Sequence, residues 1–115
     1  MTRLYVSGPV TGIEDGNLAA FESVQKELEA AGYLTDKPHD LVDREDSHET
    51  AMLLCVNELT GRTQKPGIRH PVPRYDGVAL IEGWEQSEGA KLEKAVAEAC
   101  GMPCKTVDEW LEVAR

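Results

Sequence analysis

Asp76-Gly77-Val78-Ala79-Leu80-Ile81 is an apolar run too short for a helix, and it breaks directly into Gly83-Trp84-Glu85-Gln86-Ser87-Glu88-Gly89-Ala90-Lys91-Leu92-Glu93. Residues 76–82 read as a strand buried on both faces, as in a parallel sheet, and Ser87 reads as the N-cap of the helix that follows. A parallel strand needs a crossover to its neighbour, so this unit commits the chain to alternating strands and helices. The spacing also has chemical content. The first N–H groups of a helix lack intrahelical acceptors and lie at the positive end of its dipole, so the amides of Glu88, Gly89 and Ala90 form a cradle for an anion, phosphate above all. Glu93 lies four residues after Gly89, on the same helical face, and leans toward that end past a residue with no side chain. Against this stands the plainer reading of a capped surface helix with a solvated acid.

The rest of the chain repeats the pattern. Arg3 to Ser7 reads as a first strand, with Gly8-Pro9-Val10-Thr11-Gly12 as its exit loop. Asn17 is placed to cap a helix with Leu18, Phe21, Val24, Leu28 and Ala31 at helical spacing and Gly32 as its stop. A second strand begins at Tyr33. His48 to Leu59 has helical spacing and ends at Gly61. Glu88 to about Cys100 forms the next helix, with Leu92, Val96 and Ala99 expected inward. A strand over Cys104 to Val107 and a helix over Asp108 to Ala114, with Trp110 and Leu111 buried, close the chain. The expected fold is α/β: a parallel sheet of four or five strands with helices on both faces. In such sheets ligands bind beyond the carboxyl ends of the strands, where strand order reverses. The loops Ser7 to Gly12 and Gly83 to Gly89 both open there, which favours a binding site over a bare cap.

Composition bounds the partners. A chain of 115 residues makes one domain, small enough that a second copy would help to bury its surface. A net charge of −9 and a pI near 4.7 argue against duplex nucleic acid, which requires a basic footprint. No apolar run approaches the roughly 20 residues that span a bilayer, and the first residues lack a signal peptide's apolar stretch, so a cytoplasmic location is expected. Cys55, Cys100 and Cys104 contain no CxxC pair and read as packed core thiols in a reducing compartment. The stretch Asp36 to His48, with His39, Asp40, Asp43 and Asp46, has no recognised ligand spacing and reads as a solvated acidic loop, so no metal is assigned. Residues 62–74 carry Pro66, Gly67, Pro71 and Pro73 with Lys65, Arg69, His70 and Arg74. They read as a mobile insertion loop, either a basic surface loop or a cover for an anionic ligand.

Together Tyr5-Val6-Ser7-Gly8-Pro9-Val10-Thr11-Gly12, Asn17 to Phe21, Gly32-Tyr33, Asp76 to Leu80 and Gly83 to Glu93 resemble the nucleoside 2-deoxyribosyltransferase-like superfamily. The likeness is strongest to a branch of small proteins, many encoded by bacteriophages, and leaves out only residues 62–74. It implies a flavodoxin-like or Rossmann-like fold and a homodimer, or a larger assembly of dimers, in which a neighbouring subunit helps to complete each site. It also implies cleavage of the N-glycosidic bond of a deoxyribonucleoside or its 5′-monophosphate, by transfer to a second base or to water, without a cofactor. Carried over by motif, Glu93 matches the nucleophilic carboxylate and Ser87 and Gly89 the 5′-phosphate site. Tyr5, Gly8 and Gly12 match the first-loop residues lining sugar and base, and Ser7, Pro9, Gly83 and Trp84 complete the substrate-binding set.

The chain departs from that pattern at one point. Where relatives carry an Asp that assists departure of the base, this sequence holds Cys55. Asp76 is taken as the second catalytic candidate, with Asp46, Asn57 and Glu58 as others; a strand-edge acid bonded to nearby backbone is the plainer reading of Asp76. Two further functions fit the same residues. One is a module that binds or sequesters a nucleotide or an ADP-ribose-like molecule with little chemistry, and the other is an interaction protein that docks through its acidic face. Trp84 suits either a base-stacking role or packing at an interface.

Overall fold

A computed structural model describes residues 2–43 and 45–114. The strands of the main sheet are β1 (Arg3–Ser7), β2 (Leu34–Asp36), β5 (Gly77–Leu80) and β6 (Cys104–Thr106), all parallel, in the order β2-β1-β5-β6. Between them run α1 (Leu18–Ala30), α2 (His48–Leu59) and α3 (Glu88–Ala99), and α4 (Val107–Val113) follows β6. The architecture is α/β of the flavodoxin-like or Rossmann-like kind, with four strands. Strand order reverses between β1 and β5, so the ligand end expected of this topology is where their carboxyl ends meet.

The period-2 alternation of β1 decides what lies on each face of the sheet. Leu4 and Val6 point to one side, where Phe21 and Leu28 of α1 and Trp110 of α4 pack with Tyr33, Ala79 and Ile81. Tyr5 points to the other, where Cys55 and Leu59 of α2 and Ala97 of α3 pack with Tyr75, Val78, Leu80 and Met102. Trp110 also satisfies its indole, donating to the Val78 carbonyl at 2.8 Å, and Tyr33 donates to the Trp110 carbonyl at 2.7 Å.

Several local expectations need correction. Residues 62–74 are not a structureless loop: β3 (Arg62–Thr63) and β4 (Val72–Pro73) pair antiparallel and form a short hairpin. That hairpin lies at the amino ends of the strands, where Lys65, Ile68, Val72 and Pro73 line a cavity of about 340 Å³ with Tyr75, Asp76 and Pro103. It therefore does not cover the crevice. Asn17 stands at the N-cap position of α1 but in the left-handed region, at φ 64°, and its amide donates to the Pro9 carbonyl at 3.0 Å without capping the helix. The inward face of α3 is Ala90, Glu93 and Ala97, while Leu92 is 49% exposed. Small residues and the acid face the sheet because Glu93 is bonded to it. Cys55 is a core thiol, but Cys104 is half-buried and Cys100 exposed. No described helix is long and apolar enough to cross a membrane.

Candidate active site at the β1 and β5 crevice

Glu93 is 4% exposed and, with Ser7, makes up the buried polar or charged residues of the described core. Burial of a carboxylate is unfavourable unless hydrogen bonds replace its water. Here both oxygens are satisfied. The Tyr5 hydroxyl donates to Oε2 at 2.6 Å and the Ser7 hydroxyl to Oε1 at 2.8 Å. Tyr5 and Ser7 share the α3 side of the sheet because they are two apart on β1, and Glu93 meets them because it follows Ala90 by three on the inward face of α3.

Burial raises the Glu93 pKa, and the bonds from Tyr5 and Ser7 oppose that shift. Burial likewise pushes the Tyr5 phenol well above its ordinary value, with the Glu93 charge adding to it. The Cys55 thiol lies within hydrogen-bonding reach of the Tyr5 hydroxyl, and its pKa is raised by burial. At neutral pH Tyr5 and Cys55 are thus neutral neighbours of the carboxylate, and Tyr5 is held as a donor. Sequence reasoning placed Tyr5 and Ser7 against a ligand; the structure instead gives both hydroxyls to Glu93. The alternation of Tyr5 and Ser7 was the signal available for this, but which helix would face them is a matter of topology.

At the mouth, Ser87 caps α3 and accepts from the Ala90 amide at 3.1 Å. The cradle is therefore smaller than three amides. Glu88 and Gly89 supply its backbone N–H groups, and the Ser87 hydroxyl keeps its own proton to donate. The two loops do meet: a Cβ placed on Gly83, at φ 92°, would stand 3.3 Å from Pro9. Gly8 serves packing, since a Cβ there would fall 2.1 Å from Ile81 Cγ1. Gly12 is an exposed turn residue at φ 82° with open space around its Cβ position. Trp84 is half-buried against the core of the α3 side, with the Lys94 ammonium 5.5 Å from its ring centroid.

Asp76 is not brought to this group. It sits at the amino end of β5, exposed, and accepts from the Arg3 amide at 2.8 Å, the role of a strand-edge acid. Glu58 is also at that end, bonded to Arg74 at 2.5 and 2.6 Å and to the Tyr75 hydroxyl at 3.3 Å. The Tyr75 hydroxyl also reaches Asp36 at 3.0 Å, and Asp36 pairs with Arg3. These residues form a structural network beneath the sheet that sequence spacing did not reveal.

The fold sets a buried acid beneath the carboxyl ends of β1 and β5, the end at which sheets of this strand order take their ligands, while the cavities among the described residues lie at the amino ends. The chain belongs to the family described as Domain of unknown function (DUF4406), whose model matches residues 2–65 and 67–106. Neither the curated proteins nor the solved structures contain a match to it.

Proposed function

We propose that the protein cleaves the N-glycosidic bond of a deoxyribonucleoside 5′-monophosphate, or of the nucleoside, with Glu93 as nucleophile. The observation that carries this reading is a carboxylate held on both oxygens, within a helix whose Ser87-capped N-terminus lies at the same carboxyl end of the sheet. An anionic 5′-group on the Glu88 and Gly89 amides and the Ser87 hydroxyl would set the sugar over Glu93. A Glu93 oxygen then bonds to C1′ as the bond from C1′ to the base nitrogen breaks, and the bonding pair leaves with the base. Water, or a second base, next displaces the carboxylate from C1′. Tyr5 and Ser7 are positioning residues in this scheme: they fix the carboxylate and favour its ionised form.

The test is release of free base, followed by chromatography, from each of the four deoxynucleoside 5′-monophosphates and the matching nucleosides. Release that is abolished by Glu93→Gln supports the assignment. No release from any of the eight, with the folded protein at high concentration, removes it.

A second reading has its own observation. Among the described residues the hydroxyl and thiol groups set against Glu93 are Tyr5, Ser7 and Cys55, and burial keeps the Tyr5 and Cys55 protons tightly held, so none of these three readily protonates a leaving base. On this reading the chain binds a nucleotide or an ADP-ribose-like molecule and returns it intact. A rise in Tm with ligand recovered unchanged separates it from the enzyme. Under either reading we assign a second copy of the chain as partner, because a chain of 115 residues is small enough for a partner to help bury its surface and Leu92 stands 49% exposed on α3. The free thiols suit a reducing, cytoplasmic setting. Sedimentation at micromolar concentration tests the dimer.

A further inference from the structure

We propose that α2 is a gate over the Glu93 crevice and that Met52 is its latch. This rests on the proposed reading only in taking the crevice to be the place a ligand enters. Tyr5 and Ser7 have no exposure and Glu93 has 4%, so no sugar reaches the carboxylate while the chain holds this conformation. The obstruction can be named. A Cβ placed on Gly89, at the mouth, would stand 3.2 Å from Met52 Sδ, so the thioether lies on the bare glycine of the cradle. Met52, Cys55 and Leu59 follow at helical spacing along one side of α2, and Cys55 meets Tyr5 below. One face of α2 thus seals the site from its mouth to its floor.

The helix is held unevenly, as a gate requires. Its lower end is fixed by Leu59, which is fully buried, and by Glu58, bonded to Arg74 and Tyr75. Its upper end has no buried residue before Cys55; Leu53 and Leu54 are 73% and 39% exposed, and the Ser47 cap bonds within its own turn, to Thr50. Few buried apolar contacts mark a segment of low local stability. An unbranched thioether adapts to a new position with little strain, which suits a latch. Displacement of the first turns of α2 about the Glu58 end would uncover Gly89 and Glu93 together.

Cys55 offers a readout that does not depend on activity. The full chain is exposed to N-ethylmaleimide, and labelling of each cysteine is followed by peptide mass spectrometry. Exposed Cys100 serves as the reference and half-buried Cys104, on β6, as the reporter of global unfolding. Met52→Ala should speed labelling of Cys55 by about ten-fold relative to Cys100, with Cys104 unchanged, while Met52→Leu stays near the wild-type rate. An unchanged Cys55 rate in Met52→Ala overturns the gate. Should Met52→Ala unfold the chain, hydrogen exchange on the wild-type protein decides: amides of residues 52–55 exchanging faster than those of residues 93–97 support the gate, and equal protection overturns it. A further arm adds deoxynucleoside 5′-monophosphates to Met52→Ala. Faster Cys55 labelling with no nucleotide bound supports the gate while removing the nucleotide reading, so the two ideas fail separately.

Discussion

The Tyr5 hydroxyl donates a 2.6 Å hydrogen bond to Glu93 Oε2 across 88 positions of the chain. This bond joins the first strand of the sheet to the helix after β5, and β1 and β5 are the strands that flank the reversal of strand order. It favours the ionised form of an acid whose pKa burial pushes up.

That opposition has a measurable consequence for stability. Because the Glu93 pKa is raised above its ordinary 4.5, the native state holds the proton at pH values where the unfolded chain has lost it. The Glu93 contribution is therefore most favourable below pH 4.5 and declines as pH rises from there through the native pKa. Glu93→Gln lacks this dependence, and its amide can still bond to both hydroxyls. Its Tm should exceed that of the wild type at pH 7, by about 4 °C for a gain on the order of 1 kcal/mol, and the difference should close near pH 4. Thermal scans of both proteins from pH 4 to 8 check this; a constant offset would be incompatible with it.

Tyr5→Phe removes one of the two donors and leaves Oε2 buried without a partner. The loss should be about 1–3 kcal/mol at pH 7, smaller at pH 4 where the carboxyl is neutral. If the chain releases free base, the acidic limb of its pH profile should move upward in this variant, because Glu93 loses a group that lowers its pKa. Urea unfolding at the two pH values reads the first effect, and the rate profile reads the second.

Gly8→Ala tests whether that glycine is there for packing. The new methyl would fall 2.1 Å from Ile81 Cγ1, and Ile81 is only 3% exposed, so the side chain has little room to yield. A loss of about 1–3 kcal/mol is expected. In the Ile81→Ala background the same change should be much less harmful, a coupling that a double-mutant cycle measures. Equal losses in both backgrounds would assign Gly8 another role.

At the opposite end of the sheet, Arg74→Ala removes both bonds to Glu58, whose side chain is 20% exposed beside the 39% exposed arginine. A partly exposed pair of this kind contributes about 1 kcal/mol or less. The visible effect should be local: faster hydrogen exchange in the 62–74 hairpin and in the last turn of α2, with the centre of β5 unchanged. Uniform acceleration through β5 would mean that the pair holds the whole fold.

Much of this protein was legible in the order of its residues, because backbone periodicity and capping are local. The strand Arg3–Ser7, the helix His48–Leu59 and the Ser87 cap follow from alternation, from three-and-four spacing and from a hydroxyl placed before a helix. The link between a buried run, a Ser-x-Gly turn and Glu93 also lies within 20 residues. The rest depended on which face met which. Leu92 reads as inward until the bonds from Tyr5 and Ser7 fix the rotation of α3 and put Glu93 there instead. Asp76 reads as a candidate of the site and the 62–74 segment as either a basic surface loop or a cover, until the parallel register and the hairpin set both at the amino ends of the strands, a strand length from Glu93. The contacts of Met52 with Gly89 and of Cys55 with Tyr5 join residues 37 and 50 positions apart, and no local pattern encodes them. Sequence alone determined the main strands and helices and singled out the acid; only the packed sheet decided what surrounds that acid, because burial and hydrogen-bond geometry are properties of surfaces brought together from distant parts of the chain.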